Sequence, residues 1–351
     1  MVITRADSIF NEDGVNTFLF ELSSAMITAG HEVYIISGCK KSTFSSDKLA
    51  FLFDVENMPV IHYLKNTKFR NNFEEVLFWH FRGTSVLRKL NPILTIINGT
   101  VPFWSSGSKV CICHGLRTSN FYPFSQRCYQ FFMYRLIGSM VAVSYPLQQE
   151  LKEKLGINNA KIIPIGLDTG KYSCLPLQSR EKAMLHVGTR NVKNLTTTLK
   201  AFKELSNRIV DVKLYITGAK PAESNAVKDI NSEKIKFLGI VPKNVLRSLY
   251  SKVVAVSAPS LYESFSYATL EAFASGTPVV GSQAIPNALL VDGWNGYRIS
   301  YPENHLMLAD RLFRLFSDKT LWTFMSKNAV STSLEYDIRK IAELYIQTVR
   351  L

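Results

Sequence analysis

The chain has no apolar run of the length needed to cross a lipid bilayer. A membrane-spanning helix needs about 18 or more consecutive apolar residues, and no segment of the 351-residue sequence approaches that length. The N-terminal segment also lacks the basic stretch followed by an apolar one that is typical of a secretory signal peptide. The sequence therefore predicts a cytoplasmic protein without a membrane span.

Cysteine is scarce and shows no metal-binding spacing. The five cysteines form an odd number and include no C-x-x-C pair, and the metal motifs D-x-D and H-E-x-x-H are absent. Cys111 and Cys113 lie on one face of a probable strand, where thiols usually behave as buried apolar side chains. We therefore expect no disulfide and no zinc site, and we expect the protein to use no metal and no cofactor. The five cysteines are Cys39, Cys111, Cys113, Cys128 and Cys174.

Signatures of two other protein classes are missing. A dinucleotide-binding oxidoreductase would show G-x-G-x-x-G after its first strand, where only Asp13 and Gly14 stand, and a Walker loop is absent too. The formal net charge of +13 favours an anionic partner such as nucleic acid, a nucleotide or an anionic membrane. Because the basic residues are spread along the chain without an RNA-binding signature, nucleic acid is not expected. Glycosylation sequons at Asn98 and Asn194 are interpreted as chance.

The chain does contain a repeated alternation of short apolar strands and amphipathic helices. Its hydrophobic content of 46% is typical of a globular protein, and its length suits two domains. This alternation predicts a parallel α/β sheet in each half. We predict a first doubly wound domain over residues 1–168, a looser linker, a second over 179–333, and a C-terminal helix over 334–351 that packs back on the first. Predicted strands cover residues 2–4, 33–36, 94–97, 110–113, 141–144, 161–164, 184–187, 213–217, 236–238, 253–258 and 278–280.

The most informative segment follows the predicted strand 253–258. There a loop carrying Glu263 leads into a helix that carries Glu271 and ends near Gly276. A hydroxyl of Ser264 or Ser266 is expected to cap this helix, whose free N–H groups suit a phosphate.

The two glutamates are too far apart for an acid/base dyad or a metal pair. They suit separate hydroxyl-bearing parts of one anionic ligand, as in a nucleotide sugar. The alternative is that both are solvated surface charges.

A second candidate site follows the predicted strand 184–187. The turn reads GTRNVKN over residues 188–194, so that Gly188 permits close backbone approach while Arg190 and Lys193 stand beside a helix N-terminus. A diphosphate is the ligand that this chemistry favours. The alternative is an ordinary turn with two solvated cations.

The chain resembles a retaining glycosyltransferase of family 4 (glycosyl transferases group 1) with the GT-B fold. That resemblance implies two Rossmann-like domains facing a central cleft, the acceptor bound by the first and the nucleotide-sugar donor by the second. The glutamate segment followed by Gly-Thr-Pro-Val-Val is its most specific part. The matching segments are Gly14-Val15, 30–33, 143–144, 164–168, 187–194, 237–239, 263–280 and 293–296.

By this resemblance, Arg190 and Lys193 hold the diphosphate, Glu263 contacts the transferred sugar and Glu271 the ribose. His114, at the end of the strand 110–113, matches the family histidine near the sugar; a structural histidine is the alternative. Members need no protein nucleophile and usually no divalent cation. The implied catalytic residues are Glu263, His114, Arg190 and Lys193, and the implied donor-binding residues are Gly14, Gly188, Arg190, Lys193, Ser264, Phe265, Ser266 and Glu271.

The resemblance implies transfer from a UDP-sugar to a saccharide or lipid-linked saccharide during synthesis of a surface polysaccharide or lipopolysaccharide. Three residues depart from the family pattern, namely Asp13, Ile165 and Asn287. A catalytically silent glycosyltransferase-like partner subunit is therefore the main alternative, with an oxidoreductase less favoured.

Residues 65–90 combine six basic and two acidic side chains with several aromatic ones. A basic amphipathic stretch of this kind predicts reversible attachment to the anionic inner face of the cytoplasmic membrane. The alternative is that the aromatic side chains simply pack against the sheet.

Overall fold

The computed structural model describes residues 1–5, 14–37, 49–50, 53–64, 72–98, 107–116, 124–137, 139–219 and 233–348. Predictions that concern Asp13, Cys39 and residues 65–71 lie outside the described residues, as do the side chains of residues 72–77 and 79. The chain divides into two compact units, Met1–Gly166 with Ile338–Leu351, and Leu167–Asp337.

The first unit contains a parallel sheet of seven strands in the order β3-β2-β1-β4-β5-β6-β7. Its strands are β1 Val2–Arg5, β2 Tyr34–Ser37, β3 Val60–Tyr63, β4 Leu94–Asn98, β5 Ser108–Cys113, β6 Met140–Ala142 and β7 Lys161–Ile162. Its helices before the unit boundary are α1 Gly14–Thr28, α2 Asn72–Leu90, α3 Phe124–Ile137 and α4 Tyr145–Leu155.

The central strands are mainly apolar and are buried on both faces. β1 and β4 are buried along their whole length, as expected of parallel strands covered by helices on both sides. Cys111 and Cys113 are buried free thiols of β5, in agreement with the strand pattern.

The strand predicted over residues 141–144 is too long. β6 ends at Ala142 because Ser144 already caps α4, its hydroxyl accepting the backbone N–H of Leu147.

The second unit contains a parallel sheet of six strands in the order β10-β9-β8-β11-β12-β13. Its strands are β8 Glu181–Val187, β9 Lys213–Thr217, β10 Ile235–Gly239, β11 Val253–Ala258, β12 Val279–Ser282 and β13 Gly296–Ile299. Its helices are α5 Leu195–Ser206, α6 Lys243–Lys252, α7 Tyr267–Ala274, α8 His305–Ser317 and α9 Lys319–Leu334.

Both sheets have the strand order of a Rossmann-like domain. In each, the chain adds strands in one direction and then crosses to the other side of its first strand, so that β1 lies beside β4 and β8 beside β11. Ligands of such sheets bind outside the carboxyl ends of the strands at this switch point. The prediction of two doubly wound α/β domains is therefore confirmed.

The terminal helix α10, Ile338–Gln347, belongs to the first unit. It packs beside α1, where the ring of Tyr345 lies 6.4 Å from that of Phe18. Among the described residues, no helix combines the length and the apolar character that a bilayer crossing requires.

Arg180 joins several elements of the second unit through one buried side chain. It is 7% exposed, and its guanidinium lies 4.7 Å from the ring centre of Trp322. Burial lowers its pKa to about 10, so the group remains charged at neutral pH. The guanidinium donates to the carbonyl oxygens of Leu175, Tyr250, Val253, Ser275 and Gly276 and to the hydroxyl of Thr277.

We expect Arg180→Met to destabilise the second unit by about 3–5 kcal/mol, because buried carbonyl groups lose their donor. In differential scanning calorimetry, the transition of that unit should fall by roughly 10 °C. The control is Arg208→Met, which removes an exposed cation paired with Asp310 and should change stability by less than about 1 kcal/mol. Equal shifts for the two variants would contradict this role for Arg180.

Candidate functional site

The loop after β8 has the geometry of a close-approach turn. Gly188 has a φ of +90°, which disfavours any side chain there. A Cβ atom on Gly188 would lie 3.2 Å from Cγ of Lys193, so glycine lets the lysine side chain pass over the turn. A short 3₁₀ turn, Asn191–Lys193, then leads through Asn194 into α5, while Arg190 is exposed at its start.

Glu263, in the loop after β11, contacts this turn directly. Its Oε1 atom lies 2.6 Å from Nζ of Lys193 and accepts the hydroxyl of Ser260 at 2.8 Å. The ion pair is largely buried, with side-chain exposures of 16% for Lys193 and 10% for Glu263. Two residues that the sequence assigned to different parts of one ligand are therefore ion-paired with each other.

The two loops border one small recess at the switch point between β8 and β11. Lys193 and Glu263 line it together with His186, Ser257 and Ser266. The pairing of the strands explains this, because His186 of β8 lies directly beside Ser257 of β11 in the register.

His186 was not identified from the sequence. It is buried, with Nε2 at 2.9 Å from the carbonyl oxygen of Gly188 and Nδ1 at 2.9 Å from the hydroxyl of Thr198. Burial, with a smaller effect of the Lys193 cation, lowers the pKa of His186 to about 4. The only sequence signal was its position inside a buried strand two residues before Gly188.

Glu271 is buried on α7 with three protein partners. Its Oε1 atom accepts Nζ of Lys243 at 2.8 Å and the hydroxyl of Tyr172 at 3.2 Å, while Oε2 accepts the hydroxyl of Tyr250 at 3.1 Å. Burial, reinforced by the Glu271 charge, raises the pKa of Tyr250 well above its ordinary value. Each glutamate thus has its own lysine. Sequence reasoning missed these partners because they lie 21 to 99 residues away along the chain.

The prediction of a serine hydroxyl cap on α7 is wrong. Ser266 is the N-cap residue but has a φ of +81°, and its hydroxyl pairs with that of Thr269 at 2.9 Å instead of accepting a backbone N–H. Ser264 is half-buried two positions earlier. Phe265 is buried, and its ring meets that of Tyr336 edge to face at 5.4 Å. The first N–H groups of α7 therefore have no side-chain cap.

In the first unit, polar residues gather at the carboxyl ends of three neighbouring strands. Arg5 ends β1 opposite Asn98 at the end of β4, and Asn98 pairs with Ile112 of β5. His114 lies two residues beyond Ile112, so it shares their face of the sheet. Gly14 begins α1, which covers this face through contacts of Asn16 with Arg5 and of Phe18 with His114.

Two of these side chains have unsatisfied polar atoms. Among the described residues, Oδ1 of Asn98 and both ring nitrogens of His114 are buried and have no hydrogen-bond partner. Burial, followed by the Arg5 charge, lowers the pKa of His114 to about 3, so its ring is neutral at pH 7. Asn98, whose sequon was interpreted as chance, is only 3% exposed. Across the described ranges, no group of three or more His, Cys, Asp or Glu side chains is arranged to hold a metal ion.

We expect His114→Phe to leave stability at pH 7 unchanged or to raise it by about 1 kcal/mol, because unpaired polar atoms are removed. The folded pKa of about 3 lies below the ordinary 6.5. Stability from the neutral ring is therefore complete above pH 6.5 and declines as the pH falls towards 3.

Between pH 6.5 and pH 4.5, wild type should lose about 2–3 kcal/mol more than the variant. Urea unfolding at pH 7.0, 5.5 and 4.5 measures this difference. Parallel pH profiles for the two proteins would rule out a buried neutral His114.

Comparison with known proteins identifies the family to which the chain is similar. Residues 13–171 match the family model described as Glycosyltransferase Family 4, and residues 181–318 match the one described as Glycosyl transferases group 1. Among curated relatives, the chain is 24% identical over 283 residues to O-antigen chain mannosyltransferase RfbU of Salmonella typhimurium, covering 76% of this chain and 78% of RfbU.

Two solved structures share the fold. TarM superimposes with a TM-score of 0.82 at 12% identity, covering 100% of this chain and 98% of TarM. Anabaena Alr3699/HepE in complex with UDP-glucose gives a TM-score of 0.77 at 15% identity, covering 99% of this chain and 98% of HepE. Since the two family models together span most of the sequence, the chain belongs to the group 1 glycosyltransferases of family 4 and has the GT-B fold.

Proposed function

We propose that this protein transfers a sugar, with retention of anomeric configuration, from a nucleoside-diphosphate donor to a saccharide or lipid-linked saccharide acceptor. The donor is a UDP-sugar, no divalent cation takes part, and the product belongs to a surface polysaccharide or lipopolysaccharide. The enzyme acts in the cytoplasm.

The observation that carries this proposal is the meeting of two loops at the β8/β11 switch point. One loop offers Lys193 above the open turn at Gly188, and the other offers Glu263 at 2.6 Å from that lysine. A cation beside a carboxylate matches a ligand whose diphosphate is joined directly to a hydroxyl-rich sugar. The support therefore comes from chemistry at one point of the sheet, where such folds bind their ligands.

Donor binding exchanges partners within the site. Without ligand, Lys193 and Glu263 form an ion pair. When the donor binds, the diphosphate pairs with Nζ of Lys193 and the sugar hydroxyls donate to the carboxylate of Glu263. The exposed guanidinium of Arg190 is free to turn towards the same phosphates. Neither Lys193 nor Glu263 then remains buried without a partner, which would be costly.

In the transfer step, the acceptor hydroxyl attacks the anomeric carbon on the face from which the diphosphate leaves. A departing phosphate oxygen takes the hydroxyl proton, so no side chain serves as nucleophile. Lys193 and Arg190 stabilise the negative charge that grows on the leaving group, which is the role a divalent cation has in other transferases. Glu263 orients the sugar. Glu271 contacts the ribose, and one of the two tyrosine hydroxyls that it accepts in the free protein gives up its hydrogen bond.

The donor and acceptor assignments draw on relatives. The HepE structure contains UDP-glucose, which favours a uridine nucleotide, and RfbU is named as an O-antigen chain mannosyltransferase, which favours a surface-glycan acceptor. GDP-sugars are the second class of donor to assay.

We expect Glu263→Gln to lower donor turnover about 10²-fold or more while keeping nucleotide affinity, because the lost carboxylate acts on the sugar. UDP affinity should stay equal or become tighter, since Lys193 loses its competing partner. In contrast, Lys193→Ala should weaken UDP binding by about 10- to 100-fold. Hydrolysis of a panel of UDP- and GDP-sugars measures turnover, and calorimetric titration measures affinity.

The matched control is Glu303→Gln, the same change at an exposed position of the second unit, which should match wild type. A wild-type protein that hydrolyses no donor of the panel would favour the silent-subunit alternative. If Glu263→Gln turned over donors at the wild-type rate, Glu263 would have no place in the reaction.

The described half of the basic segment supports attachment to an anionic membrane surface. Phe81 is 68% exposed on α2, and Arg82, Arg88 and Lys89 are exposed with it. Their spacing puts these four residues on one side of the helix, whereas Leu87 is buried on the other. An aromatic side chain surrounded by cations suits the interface of an anionic leaflet, where a lipid-linked acceptor resides.

We expect wild type to float with liposomes that contain anionic lipid and Arg82/Arg88/Lys89→Ser to bind them at least about tenfold more weakly, since each cation contributes about 1 kcal/mol. Lys200/Lys203/Lys213→Ser removes three exposed cations of the second unit and is the charge-matched control. Equal loss in both variants, or equal flotation without anionic lipid, would count against attachment through α2.

A further inference from the structure

His186 makes two hydrogen bonds that link the floor of the recess to the turn above it. Its Nε2 atom lies 2.9 Å from the carbonyl oxygen of Gly188, and Nδ1 lies 2.9 Å from the hydroxyl of Thr198. Because a carbonyl can only accept, Nε2 carries the proton and donates it to Gly188. Nδ1 of a neutral ring then accepts from Thr198, whose oxygen is 2.8 Å from the hydroxyl of Ser257.

The ring is held in the neutral form that this arrangement needs. Burial lowers the pKa of His186 to about 4, and the nearby Lys193 cation acts in the same direction; together they outweigh the opposite effect of the backbone groups of Gly188 and Ser257. At pH 7 the ring therefore offers one donor and one acceptor, which match the carbonyl of Gly188 and the hydroxyl of Thr198.

The bond to Gly188 fixes the direction of a whole peptide group. The Gly188–Thr189 peptide is trans and planar, so its N–H points opposite to its carbonyl. With the carbonyl aimed at His186, the N–H of Thr189 is aimed away from the ring. That N–H has no hydrogen-bond acceptor among the described residues, although the Thr189 hydroxyl is anchored to the carbonyl of Ala219.

The turn itself supports this orientation. A φ of +90° at Gly188 is accessible to glycine at little cost, and the backbone N–H of Gly188 is already used by the carbonyl of Thr217 at 2.9 Å. The Lys193 side chain crosses directly over Gly188. An unpaired main-chain donor and a lysine ammonium group thus lie on the same short turn, and an anion is the ligand that uses both.

We propose that His186 is a positioning residue that orients the Gly188–Thr189 peptide, so that the Thr189 N–H donates a hydrogen bond to the diphosphate of the nucleotide sugar. This inference rests on the proposed function, because it deepens the chemistry of the same site. His186 acts on the ligand indirectly. Its effect reaches the phosphates through one peptide group.

The test compares two replacements of His186 with a core control. His186→Phe keeps a planar ring but removes the donor to Gly188, whereas His186→Gln retains an N–H near the position of Nε2. Leu312→Ala leaves the recess intact and removes a fully buried side chain of α8, so it reports what destabilisation alone does. Affinities for UDP and for uridine are measured by calorimetric titration of the full chain, well below the unfolding temperature.

We expect His186→Phe to weaken UDP binding about tenfold, the loss of one charge-assisted hydrogen bond, and to leave uridine binding unchanged. His186→Gln should bind UDP within about threefold of wild type, and Leu312→Ala should match wild type despite a lower unfolding temperature. This pattern separates positioning from a merely structural role, because only the phosphate-dependent part of the affinity moves.

Three results would overturn the inference. One is wild-type UDP affinity in His186→Phe, another is an equal loss for UDP and uridine, and the third is an equal loss in Leu312→Ala. A wild-type protein that binds neither UDP nor GDP overturns the proposed donor site itself, and this inference with it.

Discussion

The parallel pairing of β8 with β11 is the constraint on which the site of the second unit depends. It aligns His186 with Ser257 and makes both strands end at the same edge of the sheet. The chain leaves β8 through the Gly188 turn into α5 and leaves β11 through the Glu263 loop towards α7. Since these are the neighbouring strands at which the sheet order reverses, the two loops border a recess without filling it. Lys193 and Glu263 can therefore meet across it, although they are 70 residues apart in sequence.

Internal pairing of charge is the second property of this unit. Glu263 is neutralised by Lys193, and Glu271 by Lys243, with hydroxyl groups completing each carboxylate. A buried ion that lost its partner would destabilise the fold by several kcal/mol. A ligand that brings both an anion and hydroxyl groups avoids this cost, because each member of the Lys193–Glu263 pair gains a partner when the pair separates. A simple anion would instead occupy Lys193 and leave Glu263 with only the hydroxyl of Ser260.

Much of the fold could be predicted because its strands are continuous apolar runs. β1, β4 and β11 follow that rule, whereas β3 and β13 lie at sheet edges and were missed. β3 is half-exposed along most of its length, so its sequence shows no alternation of apolar and polar residues that would predict a strand. The two site loops were found because glycine, lysine and glutamate are chemically distinctive beside strand ends. The ion pair between Lys193 and Glu263 was not predicted, and neither was the contact between Tyr172 and Glu271. Hydrogen bonds between segments that are distant in sequence leave no local pattern. The serine cap failed for a local reason, the positive φ of Ser266.

Two buried polar side chains of the first unit, unlike the paired glutamates of the second, have unsatisfied atoms. Within the part of the chain that the structure describes, Oδ1 of Asn98 and the nitrogens of His114 are buried without hydrogen-bond partners. Each such group destabilises a fold by about 1–3 kcal/mol. Leucine or phenylalanine at these positions would avoid that cost, so packing alone does not account for these polar atoms. An amide oxygen accepts only, and a neutral imidazole offers one donor and one acceptor. A carboxylate or a fully ionised phosphate could not donate to Asn98, whereas a hydroxyl can donate to it and also accept from His114. The polar atoms of Asn98 and His114 therefore match a hydroxyl group better than an anion.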